Sequence, residues 1–150
     1  MAQQDGTDTG AQGVVPMLSY ADGPAAMDWL ATAFGFQEAT RWLDERGVLA
    51  HGEMLAGRGR IMPATPSADY EGPLRHRSHC DTAAAWATVR WVIDGVLVYV
   101  DDIDAHFERA TAAGAVLLSS VEQGPGGSHL YRAEDLEGHR WMFMQRGTPS

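Results

Sequence analysis

The sequence is poor in several things that would signal a compartment or a partner. It has one cysteine, Cys80, so no disulfide can close within the chain and nothing in it calls for an oxidising compartment. It has no long basic run: 20 acidic side chains stand against 11 basic ones, for a net charge of −9. A chain this acidic repels phosphate backbones, which argues against nucleic acid as a partner. No apolar run approaches the ~20 residues needed to span a bilayer, so no membrane association is expected. The opening MAQQDGTDTGAQG lacks the cationic start and apolar stretch of a secretion signal. Phosphate-loop and nucleophile-elbow patterns are missing too. GPGG (124–127) and GRG (57–59) link no strand to a helix, and there is no GxSxG. Together these absences point to a cytoplasmic protein whose partner is a small molecule. The charge balance loosely favours a basic one.

What is present is a single core's worth of apolar residues, 45% of 150, and an internal repeat. LSYADGPAAMDWLATAFGF, from Leu18, and LVYVDDIDAHFERATAAGA, from Leu97, agree at an offset of 79. Leu18 meets Leu97, Tyr20 meets Tyr99, Asp22 meets Asp101 and Gly35 meets Gly114. Each copy reads as a strand, then aspartates where a helix N-cap belongs, then a helix closed by glycine. Met27, Leu30, Ala31 and Phe34 share one helical face in the first copy, and Ile103, Phe107, Ala110 and Ala113 roughly share one in the second. Short strands separated by glycine-bearing turns follow: FQEATRWL, VLAHGEML and RIMPA, then AVLLSS, SHLYRAE and HRWMFMQ. The unit is β-α-β-β-β, used twice. The expected domains are a tail over 1–13 and one domain over 14–146. That domain comprises a module at 14–64, a connecting loop at 65–91 and a module at 92–146. DTAAAW within the loop reads as one helical turn capped by Asp81.

Paired β-α-β-β-β modules, VYVDDIDAHFERATAAGA and the terminal YRAEDLEGHRWMF resemble the vicinal oxygen chelate superfamily of glyoxalases, bleomycin-resistance proteins and extradiol dioxygenases. The resemblance implies an α+β fold: two βαβββ modules, each a curved mixed half-barrel sheet, enclosing a cleft. It also implies a homodimer, often with clefts built from both chains. In metal-using members the ligands come from the first and last strands of the modules. The corresponding positions here are Val15, Gly95 and Met142, with the first module's last-strand position near Ile61 or Met62. None offers imidazole or carboxylate, and thioether does not suit Zn²⁺ or Fe²⁺ in an O/N site. A register slip of one residue would bring in only Asp94. The expectation is a site with no metal and no cofactor.

If Met142 faces the cleft, strand alternation carries Met144 with it, and the first strands add Val15, Met17, Ser19, Gly95, Leu97 and Tyr99. Methionine suits pockets for irregular flat ligands. Taken as an isolated strand, WMFM reads equally as core. Trp42 and Trp91 can cap a cleft or sit at a boundary layer. His51 and Glu53 alternate on one strand and read either as a polar anchor or acid–base pair, or as a polar edge. With Tyr99 they are the catalytic candidates. HRSHCD (76–81) packs His76, His79, Cys80 and Asp81 together without a second zinc-spaced pair. It reads as a polar lid, with Arg75, His76, Arg77 and His79 as its contacts. The alternative functions are a metal-dependent glyoxalase- or dioxygenase-type enzyme using His51, Glu53, His79 or Asp94, and a metal-free acid–base enzyme.

Overall fold

The computed structural model describes residues 13–91 and 94–148. The expected tail over 1–13 therefore lies outside the described residues apart from Gly13. Four strands form the first sheet: β1 (Met17–Ser19), β2 (Gln37–Leu43), β3 (Leu49–Ala56) and β4 (Gly59–Ala64), in the order β1-β4-β3-β2. Five form the second: β5 (Gly95–Tyr99), β6 (Val116–Leu117), β7 (Glu122–Gln123), β8 (His129–Glu134) and β9 (Arg140–Gln145), in the order β5-β9-β8-β6 with β7 also on β8. In each sheet the first strand runs parallel to the last and the remaining pairs are antiparallel. The α+β class and the doubled mixed sheet are as expected.

Helix α1 (Gly23–Phe34) starts where the Asp22 side chain accepts from the Ala25 N–H at 3.1 Å and ends on Gly35 at φ +73°. Helix α4 (Ile103–Ala112) starts where Asp102 accepts from Ala105 at 3.1 Å. The N-caps are thus 80 residues apart. The strands agree: Met17 pairs with Met62 as Leu97 pairs with Met142. Tyr20 N donates to the Ala64 carbonyl as Val100 N donates to that of Met144. The offset of 79 holds only at Gly35 and Gly114, which both take positive φ, because α4 is two residues shorter than α1 and a non-glycine C-cap, Ala113, follows it. One residue of slip turns a strand over. Tyr20 is consequently buried at 0% exposure while Tyr99, its mate at 79, is 43% exposed.

The core lies on the helix side of both sheets. Phe34 and Phe36 from the end of α1 meet Trp141 and Phe143 of β9 at centroid separations of 4.6 to 6.4 Å. Two polar bridges tie the halves together. The first is the turn after β8. Buried Asp135 accepts at Oδ2 from the Tyr20 hydroxyl at 2.6 Å and the Trp141 indole at 3.0 Å, and at Oδ1 from the N–H groups of Glu137 and His139. Glu137 accepts from the N–H of Ala21 and Asp22, and His139 donates to the Ser19 carbonyl. The second is His106 on α4. The Phe34 carbonyl can only accept, so Nε2 carries the hydrogen at 2.9 Å and Nδ1 accepts from the Tyr131 hydroxyl at 2.6 Å.

The expected loop over 65–91 holds two short helices, α2 (Pro73–His76) and α3 (Asp81–Ala87). Asp81 is the first residue of α3, and the N-cap is Cys80 without a side-chain bond. This segment is fastened to the second sheet. Glu134, 2% exposed, holds Arg77 through both guanidinium nitrogens at 2.9 and 3.0 Å and also pairs with Arg140. Arg140 donates onward to the carbonyls of Ala87 and Val89 at 2.6 and 2.8 Å. His79 and Arg75 both pair with Glu71 inside the segment. Among the described residues no helix is long and apolar enough to cross a membrane.

Three expectations follow from these bridges. Asp135→Asn sets an amide N–H₂ against the Trp141 N–H and should lower stability by about 3 kcal/mol in urea unfolding. A loss under about 1 kcal/mol would mean the turn is not the clasp. Burial holds the His106 imidazole below its ordinary range. The unfolded chain then takes a proton near pH ~6.5 that the folded chain refuses, so this contribution is full above that pH and is lost below it. The drop in melting temperature between about pH 7.5 and about pH 5.5 should be smaller in His106→Gln than in the parent, and equal drops would clear His106 of the effect. Arg77→Met should quicken tryptic cutting within the connecting segment by roughly five-fold or more, since opening there no longer breaks a buried ion pair. An unchanged rate would show the segment is held by its other bonds alone.

Candidate functional site

Alternation puts Trp141 and Phe143 in the core, leaving Arg140, Met142 and Met144 on the opposite, concave face of the second sheet. The register then builds three rows across β8, β9 and β5. Glu134, Arg140 and Gly95 form one, Arg132, Met142 and Leu97 the next, and Leu130, Met144 and Tyr99 the third. The connecting segment lies over the first row, through Arg77 and the two carbonyls bound to Arg140. The middle row borders a hollow of about 190 Å³ whose wall includes Trp91, Gly95, Leu97, Leu118, Arg132 and Met142. The third row stays open, with the Arg146 guanidinium 3.6 Å above the Tyr99 ring.

Two local features shape this hollow. Gly95 packs tightly beside β9: a Cβ there would come within 3.2 Å of the Arg140 carbonyl oxygen. The strand expected over 115–120 pairs only at Val116 and Leu117. Leu118 N still donates to the Arg132 carbonyl, but the Arg132 N–H is taken by the Ser119 hydroxyl at 3.1 Å in place of a ladder carbonyl. The edge strand breaks there and resumes as β7, and Leu118 turns into the wall.

Of the residues singled out from the sequence, Trp91, Gly95, Leu97 and Met142 come together in this wall. Met144 and Tyr99 stand one row away on the same face. Val15, Met17, Ser19, Trp42, His51 and Glu53 belong to the first module, and neither they nor Asp94 and the residues singled out over 75–81 line the hollow. Val15 precedes β1, which spans only Met17–Ser19, and Met17 is 81% exposed. Trp42 lies 5.1 Å from the His51 ring, and His51 contacts Glu53 at 2.8 Å. Arg60 donates to the same carboxylate at 2.8 Å. The His51 bond, and then Arg60, hold Glu53 below the usual carboxylate range, so it is an anchor for cations and a weak proton acceptor. Arg90, Leu118, Arg132 and Arg140 were not foreseen as wall residues. For Arg132 and Arg140 the signal is the pairing of β8 with β9, which a single strand's alternation does not carry; Arg90 lies on the connecting segment and Leu118 just past β6.

The register also identifies Met62, the partner of Met17, as the first-module counterpart of Met142. The four positions at which family resemblance implies metal ligands thus read Val15, Met62, Gly95 and Met142. That set does not fit a divalent ion with oxygen and nitrogen donors. Among the described residues no three His, Cys, Asp or Glu side chains converge on a point. His79 is occupied with Glu71, far in sequence from the His51–Glu53 pair.

Comparison with known proteins places this architecture. Residues 14–143 match the Glyoxalase/Bleomycin resistance protein/Dioxygenase superfamily. Among solved structures, TioX from Micromonospora sp. ML1 is 30% identical, with a TM-score of 0.66, covering 93% of this chain and 99% of that one. A superfamily member from Sphaerobacter thermophilus DSM 20745 is 14% identical with a TM-score of 0.60, covering 91% of this chain and 99% of its own. A glyoxalase-related enzyme from Fulvimarina pelagi is 17% identical with a TM-score of 0.58, covering 90% and 88%. The last two share the fold alone. No curated protein matches the chain. The doubled βαβββ unit, its terminal clasp and the match over nearly its whole length make this chain a member of the Glyoxalase/Bleomycin resistance protein/Dioxygenase superfamily.

Proposed function

We propose that the protein binds a small, flat or amphipathic molecule without a metal, and sequesters it as the bleomycin-resistance branch of the superfamily does. The observation that carries this reading is the identity of the side chains where chelation is implied. Gly95 and Met142 stand in the wall of the hollow, and they bring a hydrogen and a thioether. What remains is an oily surface of Leu97, Leu118 and Met142 beside the indole of Trp91, suited to a planar apolar body. A second copy of the chain is the proposed cover for the first module, where Met17, Trp42 and Leu55 leave apolar area in solvent.

Elemental analysis of protein purified without chelators should find Ni, Zn, Fe and Mn well below one equivalent, and binding of a naphthalene-based probe should be indifferent to EDTA. Stoichiometric metal, or binding that vanishes with EDTA and returns with a divalent ion, would favour a metal-dependent enzyme instead. Sedimentation should give twice the mass of one chain, and Met17→Glu should shift it to a single chain's mass.

A further inference from the structure

We infer that the hollow selects an anion, a planar carboxylate of one or two fused rings, with Arg132 as its counter-charge. This deepens the binding function proposed above and rests on it. The chain carries a net charge of −9, yet three arginines and no acidic residue line the hollow: Arg90, Arg132 and Arg140. Two of the three are already answered. Arg140 is bound to buried Glu134 and to two carbonyls. Arg90 reaches Glu122 at 3.3 Å and the Leu118 carbonyl at 3.4 Å, with Trp91 stacked 5.9 Å away. Arg132 gives its backbone N–H to Ser119, and among the described residues its guanidinium has no partner.

That guanidinium is half-buried and stands in a row with Met142 and Leu97. A charge partly removed from water and left unpaired among apolar groups is unfavourable. A ligand carboxylate reverses this by a forked, charge-assisted pair. The rest of the wall sets the ligand's shape. Trp91 offers a flat face, Met142 and Leu97 an adaptable floor, and a volume of about 190 Å³ admits a small ring system rather than a long chain. The overall negative charge points toward a basic ligand only at long range, and screening limits that reach to about 8 Å at physiological salt. At contact, the lining decides.

The test is calorimetric titration of the whole chain with three probes of one skeleton: 2-naphthoate, 2-naphthamide and 2-naphthylmethylammonium. The naphthoate should bind at least about tenfold more tightly than either of the others. Arg132→Met should reduce that preference to near parity. Leu97→Glu, at an exposed position in the same row, should invert the preference toward the ammonium and does not depend on Arg132→Met folding. If the amide or the ammonium binds the parent as well as the naphthoate does, or if Arg132→Met keeps the preference, the anion assignment falls and the binding function stands. If none of the three binds, the binding function falls and takes the assignment with it.

Discussion

A single buried carboxylate sets the relation between the two halves of this molecule. Among the described residues Asp135 has no charged partner within hydrogen-bond reach; its oxygens are filled by a phenol from the first module, an indole from the second, and two backbone N–H groups of its own turn. A carboxylate so enclosed tolerates no vacancy, because each donor it loses leaves a buried polar atom unmatched on both sides. The Tyr20 ring must therefore stay edge-on to His139, 4.7 Å between ring centroids, and with it the end of β1. Burial and the neighbouring carboxylate push the Tyr20 hydroxyl well above its usual range, so it remains a donor at any physiological pH. Glu137 and His139 add three further bonds to the same corner. In this way a turn that reads as a family signature acts mechanically, as the clasp between duplicated units.

The duplication is used unequally. The connecting segment roofs one end of the second sheet's open face. The roof is possible because Glu134 and Arg140, at one end of that face, form a buried pair able to hold Arg77 and two carbonyls of the connecting segment. In the first sheet Arg60, 80 residues before Arg140, pairs instead with Glu53 at 2.8 Å, and Met17 is left in solvent. A buried ion pair contributes little net stability by itself. Here its consequence is positional: it sets Arg90 and Trp91 at the rim of a hollow rather than leaving the face flat.

Much of this was legible in the residues. The repeat, the aspartate caps, the glycines that end the helices and the alternation of WMFM each state a local rule, and local rules survive into the structure. The set drawn from alternation contains Gly95, Leu97 and Met142, which strand pairing sets in adjacent rows of one face, with Trp91 beside them in the same wall. What could not be read were the consequences of pairing. The phase of the repeat is one: the sequence agreement at 79 is strongest around the helices, whereas the strands correspond at 80, and that residue decides whether a tyrosine faces the core or the solvent. Arg132 is the other. It sits between Tyr131 and Ala133, both buried, and nothing local distinguishes it from an ordinary exposed arginine at a sheet edge. Its setting comes from β9 lying beside it, from the broken edge strand across it, and from a roof anchored two residues further along.

Whole-chain charge and local charge thus carry different information. The eleven basic side chains are all arginine, and most are spoken for: Arg41 by Asp28 and Glu38, Arg46 by Asp44, Arg75 by Glu71, Arg109 by the carbonyls at the end of α1. In a chain with acidic side chains in excess, an arginine that escapes pairing does so because the fold has placed carboxylates elsewhere. The concave face shows how. Its one buried acid, Glu134, is consumed by two guanidiniums, and the neighbouring row contains only thioether and alkyl groups beside Arg132. A positive charge lodged there cannot be answered from within the described chain, and an anion arriving from outside meets it without displacing any bond the protein already makes.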